Sequence, residues 1–119
     1  MEAQKQPAVL GEGDGVNQRR QPRFKIELDV SIDSRSCGIL QGYTVDISES
    51  GISALLRIEV PVGELVELDF ILPLGPVKIL AVVRQRNAFR YGFQFTEENR
   101  IVQSTCHRLA MERSLLGKL

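Results

Sequence analysis

The sequence carries no excess charge of either sign: Lys plus Arg is 15 and Asp plus Glu is 15. No overall field therefore draws the chain onto DNA, RNA or an anionic membrane. Long apolar runs are missing too, and none approaches the roughly 20 residues that a membrane-spanning helix needs. At the N-terminus, Ala8-Val9-Leu10 is too short for a secretion signal, and a Gly-rich acidic stretch follows it. Metal-ligating and nucleophilic residues are scarce. Cys37 and Cys106 lie far apart, and His107 is the sole histidine. A structural zinc site takes about four such ligands, and a Ser-His-Asp triad would rest on His107 alone. The inventory argues against an enzyme. It leads us to expect a cytoplasmic protein with no metal and no resident cofactor.

What is present is an ordinary globular composition, 43% apolar and 25% charged, in 119 residues. That length suits one domain with a core that needs no disulfide staples. The basic residues are 11 Arg against 4 Lys. Arginine is the residue of planar, forked recognition of phosphates and guanine edges.

Residues 1–18 contain Gly, Pro and polar residues with almost nothing to bury, which reads as a flexible N-terminal arm. From Phe24 the pattern changes. Phe24, Ile26, Leu28, Val30 and Ile32 alternate with polar residues, as in a half-buried strand. Further strands are expected over 43–47, 52–56, 65–72, 77–84 and 91–95, with turn residues between them. The 77–84 segment is apolar on both faces, which suggests a central strand. Six short, evenly spaced strands favour a small antiparallel barrel or sandwich. After Glu97-Glu98 the period becomes helical. Val102, Cys106, Leu109 and Leu116 form one stripe, Arg108 and Arg113 come late, and Gly117 closes it.

Two segments carry chemistry. The first is Arg19-Arg20-Gln21-Pro22-Arg23, where arm meets barrel. Pro22 biases Gln21 toward extended backbone. Arg19 and Arg23 then share a face, roughly 13 Å apart at about 3.3 Å per residue. Two forked donors at that spacing suit a bulky anion with phosphate or guanine edges. The plainer reading is a solvated basic linker. The second is Asp46-Ile47-Ser48-Glu49-Ser50-Gly51. Asp46 is able to accept the N1–H and N2–H donors of a guanine, and Ser48 offers a small hydroxyl. Gly51 permits a positive φ or a close approach to the backbone. The plainer reading here is a polar hairpin bonded to itself.

Taken together, an RxxxR box followed about two dozen residues later by DxSxxG resembles the PilZ domain family. The Tyr91-Gly92-Phe93-Gln94-Phe95 segment and the closing helix add to the resemblance, which spans 19–119. It implies a six-stranded antiparallel β-barrel with a C-terminal α-helix, acting as a non-catalytic bacterial receptor for cyclic di-GMP. The ligand-binding residues it implies are Arg19, Arg20 and Arg23 from the arm, and Asp46, Ser48 and Gly51 from the barrel. It also implies signalling by ordering of the arm, and a downstream protein partner in motility, pilus or exopolysaccharide pathways. Neither DNA, RNA nor direct membrane insertion is expected. Gln18 precedes the box where some members have Arg, a position that bears on whether one or two ligand molecules bind. The alternative is a PilZ-like adaptor that binds proteins and no nucleotide.

Outside the motifs, Arg84, Arg86 and Arg90 read as a solvated turn. Tyr91, Phe93 and Phe95 read as core, Cys106 as a buried apolar residue, and Leu109, Leu115 and Leu116 as the helix face packed on the barrel.

Overall fold

The computed structural model describes residues 21–117. Seven strands and one helix follow in order: β1 (Phe24–Lys25), β2 (Asp29–Ser34), β3 (Gly38–Ile47), β4 (Gly51–Leu55), β5 (Leu65–Leu72), β6 (Gly75–Asn87), β7 (Arg90–Phe95) and α1 (Arg100–Gly117). All pairings are antiparallel, and the sheet runs β1-β3-β2-β5-β6-β7-β4. A further β3–β4 pairing closes six of these strands into a barrel, with β1 as an extra short strand beside β3. The barrel and the C-terminal helix agree with the sequence reading. The arm over 1–18 lies outside the described residues.

The expected single strand from Phe24 to Ile32 is divided. Lys25 pairs with Asp46, while Asp29 pairs with Tyr43, so one residue is extra on this side. The Thr44 hydroxyl fills the break. It donates to the Ile26 carbonyl at 2.6 Å and accepts from the Leu28 N–H at 3.0 Å. Two backbone groups that the sheet leaves unpaired are thereby satisfied. The inward alternation survives, with Phe24, Val30 and Ile32 buried and Ile26 and Leu28 packed against the core.

Along β6, Val77, Ile79, Ala81 and Val83 point into the barrel. Lys78 and Leu80, between them, are exposed. The apolar-on-both-faces reading of this strand is thus corrected: a closed barrel has one interior, and β6 buries one face. Tyr91, Phe93 and Phe95 are buried on β7 as expected. The Tyr91 hydroxyl accepts the Val60 N–H at 3.1 Å, which ties the loop after β4 to the barrel end.

Helix α1 begins later than the Glu97-Glu98 pair. Asn99 caps it, its side-chain oxygen accepting the Val102 N–H at 3.0 Å and its carbonyl the Gln103 N–H at 2.9 Å. Val102 and Cys106 are buried, with Leu109 packed beside them. Leu115 and Leu116 do not join that face; Leu116 is 70% exposed. The apolar face of the helix meets the barrel from Val102 to Ala110, and its last turn, with Leu115 and Leu116 exposed, has no sheet beneath it. Among the described residues no helix is long and apolar enough to cross a membrane.

Candidate functional site

A second bulge builds the site. On the β4 side of β3, Thr44 pairs with Ala54 but Asp46 pairs with Ser53, leaving Val45 extra. Before the bulge, Leu40 and Thr44 are buried; after it, Ile47 takes the inward position. Plain alternation would have turned Asp46 into the core. The bulge turns it outward instead, where its side chain is 18% exposed.

Arg23 sits immediately before β1. The pairing of Lys25 with Asp46 brings Arg23 diagonally next to that carboxylate. Its Nε and Nη2 donate to Asp46 Oδ1 at 3.0 and 2.7 Å, and Nη2 also reaches Ser53 Oγ at 3.2 Å. From the other side, Arg90 Nη2 donates to Asp46 Oδ2 at 2.8 Å. Asp46 is thus held between two guanidinium groups from distant parts of the chain.

These residues head a groove of ≈ 630 Å³ across β4, β7 and the end of β6. Its floor is made of small residues. Gly51 is flat against β7, where an added Cβ would lie 2.4 Å from the Phe93 carbonyl oxygen. Glycine is required there by close approach of a neighbouring strand, not by a positive φ, since its φ lies outside that region. Ser53 and Gly92 are cross-strand partners on the same floor. A third bulge, at Arg84, shifts the β6–β7 register, and Gln85 packs over Gly92.

Arg84, Arg86 and Arg90 are not a solvated turn. All three line the groove, because barrel closure lays the end of the β6–β7 hairpin beside β4. Arg84 Nε donates to the Gln94 side-chain oxygen and has no acidic partner among the described residues. Arg86 is neutralised by Glu59 and lies over the Tyr91 ring, 5.9 Å from its centroid. Among the described residues, Arg23, Arg84 and Arg90 against Asp46 give the groove a net charge of +2. That balance suits a dianionic ligand.

Among the residues named from sequence, Arg23, Asp46 and Gly51 come together in this groove. Ser48 does not line it. Ser48 is buried in its own turn, its hydroxyl accepting the Ser50 N–H at 3.3 Å and lying 3.4 Å from the Gly51 carbonyl. In this structure Ser48 shapes the turn between β3 and β4. Arg19 and Arg20 lie outside the described residues. Sequence reasoning missed Ser53 and the part played by Arg90. The one available signal was the cluster of three arginines around the last hairpin.

Among its described residues the groove holds no paired nucleophile and base; it presents forked donors and a carboxylate, groups able to hydrogen-bond anions and base edges. A PilZ domain model matches residues 17–112. The chain belongs to the PilZ domain family.

Solved PilZ structures share the fold. The PilZ domain of YcgR from Escherichia coli, determined with c-di-GMP, superposes with a TM-score of 0.59 at 18% identity, over 85% of this chain and 96% of that one. The PilZ domain of CeSA from a cellulose-synthesizing bacterium gives a TM-score of 0.58 at 18% identity, over 78% and 98%. The Bacillus subtilis inhibitor of motility, MotI/DgrA, gives 0.66 at 23% identity, with 82% of this chain covering 51% of that protein. At such identities the likeness is one of fold. No curated protein sequence matches this PilZ chain.

Proposed function

We propose that this chain is a non-catalytic bacterial receptor for cyclic di-GMP, acting in the cytoplasm. One observation carries the reading: Arg23 of the RxxxR box and Asp46 of the DxSxxG motif, 23 residues apart, are hydrogen-bonded at the head of a groove with net charge +2. Cyclic di-GMP is a dianion with two guanine rings. Forked cations serve its phosphates and guanine O6/N7 edges, and a carboxylate serves guanine N–H donors. Membership of the PilZ family supports the reading, as do the relatives solved with c-di-GMP.

In this proposal Arg19, Arg20 and Arg23 reach the ligand from the arm, Asp46 and Gly51 meet it on the barrel, and Ser48 keeps the turn beneath it in shape. The arm orders over the bound ligand and presents a new surface to a downstream protein partner. The output is a change of surface, with no covalent step.

Isothermal titration calorimetry with cyclic di-GMP, beside GMP and cyclic di-AMP, tests the reading on wild type and Arg23→Ala. Losing a charged forked contact costs about 1–3 kcal/mol, so affinity is expected to fall roughly ten- to a hundredfold. No heat from cyclic di-GMP on wild type would overturn the receptor reading. Unchanged amide exchange across residues 8–23 at saturating ligand would overturn the arm-ordering step alone.

A further inference from the structure

We infer that Asp46 and Arg90 together form a guanine-reading pair, with Arg90 selecting guanine over adenine; this rests on the cyclic di-GMP reading above. Arg90 belongs to neither sequence motif. It lies 44 residues from Asp46 and reaches it only because β7 pairs with β4 in the closed barrel.

The two oxygens of Asp46 are used unequally. Oδ1 accepts both Nε and Nη2 of Arg23, which fills its two lone pairs. Among the described residues Oδ2 accepts one bond, from Arg90 Nη2 at 2.8 Å, which leaves its second lone pair for a ligand. The groove therefore holds an acceptor, Oδ2, directly beside a forked donor, Arg90. The guanine Watson–Crick edge has the complementary order, the N1–H donor beside the O6 acceptor. N1–H meets Oδ2 while O6 meets the guanidinium.

Adenine reverses both groups. Its N6–H2 would face the Arg90 donor, and its unprotonated N1 would face the carboxylate. Donor opposite donor and acceptor opposite acceptor leaves polar groups unpaired, which is the strongest basis for rejecting a near-isosteric ligand.

The strand pairing fixes where the fork stands. On this face the Leu55–Arg90 pair follows Ser53 with Gly92, where Arg23 bonds Ser53 and Gln85 packs over Gly92. The backbone of Arg90 is fixed on both sides, by Leu55 in β4 and by Asn87 across the hairpin. Its side chain is 51% exposed, which leaves the guanidinium able to settle on an incoming base. A donor on a rigid strand positions a ligand edge more sharply than one on an arm.

The test is calorimetric titration of the full chain with cyclic di-GMP and cyclic di-AMP, for wild type, Arg90→Ala and Arg90→Lys. The expected result is a wild-type preference for cyclic di-GMP that falls roughly tenfold or more in Arg90→Ala, the worth of a good base-edge contact. Arg90→Lys keeps the charge but not the fork. It should retain its affinity for cyclic di-AMP while still losing part of the preference, which separates edge reading from general attraction. Melting temperatures within about 2 °C of wild type exclude a merely structural effect. An unchanged preference in both variants, with wild type binding cyclic di-GMP, would overturn the pair and leave the receptor reading standing. Failure of wild type to bind cyclic di-GMP would overturn both.

Discussion

The guanidinium of Arg113 lies 4.3 Å from the centre of the Phe24 ring, and its Nη2 donates to the backbone carbonyl of Arg23 at 2.8 Å. The far half of α1 therefore grips the chain at the residue that places Arg23 on Asp46. Strand β1 is only two residues long, so this grip matters for how firmly the site is assembled.

Arg113→Ala is expected to loosen β1 without unfolding the barrel. The lost cation–π contact and hydrogen bond amount together to about 1–2 kcal/mol. Amide exchange of Ile26, whose N–H bonds Val45 at 3.1 Å, should speed up while exchange in β5 and β6 stays unchanged. Cyclic di-GMP affinity should fall with it. Protection of Ile26 equal to wild type would show that β1 holds itself.

Gly51→Ala should destabilise the barrel by about 1–3 kcal/mol, because the new methyl meets backbone and has nowhere to go. Urea denaturation measures this. Wild-type stability would mean that β4 and β7 can separate locally, against the 2.4 Å approach described above.

Thr44→Val keeps the shape of the side chain and removes both of its hydrogen bonds at the β1–β2 break. Leaving the Ile26 carbonyl and Leu28 N–H without this partner should cost about 1–3 kcal/mol. Thermal melting reads the loss, and no change would assign the break to backbone alone.

The two thiols should behave differently. Burial pushes the Cys106 thiol up from 9.0 to about 11, with a smaller contribution from Glu49. Cys37 is half-buried, so a thiol reagent should label Cys37 first and Cys106 only on unfolding. Below pH 9 the folded and unfolded chains both keep the Cys106 proton. Between 9 and about 11 the unfolded chain releases it first, so stability falls as pH rises through that window. Cys106→Ala should flatten that fall between pH 9.0 and about 11. An equal slope in the variant would assign the fall to other groups.

Much of this molecule was legible in one dimension. The alternation of Val30 and Ile32, of Leu68 and Phe70, and of Tyr91, Phe93 and Phe95 is a local property, and all of these residues are buried where it places them. Arg23 and Asp46 were legible because each lies in a short motif. Arg90 was not, because its contact with Asp46 depends on closure of β4 against β7, a pairing that no local pattern encodes. Ser48 was named for its hydroxyl, yet that hydroxyl serves its own turn, a choice made by backbone geometry. Leu116 fits the helical period and still lies in solvent, because the helix outruns the sheet beneath it.

The extra residue at Val45 makes the chemistry of this barrel a matter of parity. Up to Thr44 the inward positions of β3 are even-numbered, and from Ile47 they are odd. Val45 is the residue that resets the count: strict alternation from Thr44 would carry Asp46 inward, and the one residue that β4 leaves unmatched carries it out to its two arginines and gives the core Ile47. Deleting Val45 should therefore restore plain alternation with Asp46 still opposite Ser53 and still facing outward, so the facing of this carboxylate depends on the residue count of β3 matching that of β4 and not on the identity of Val45.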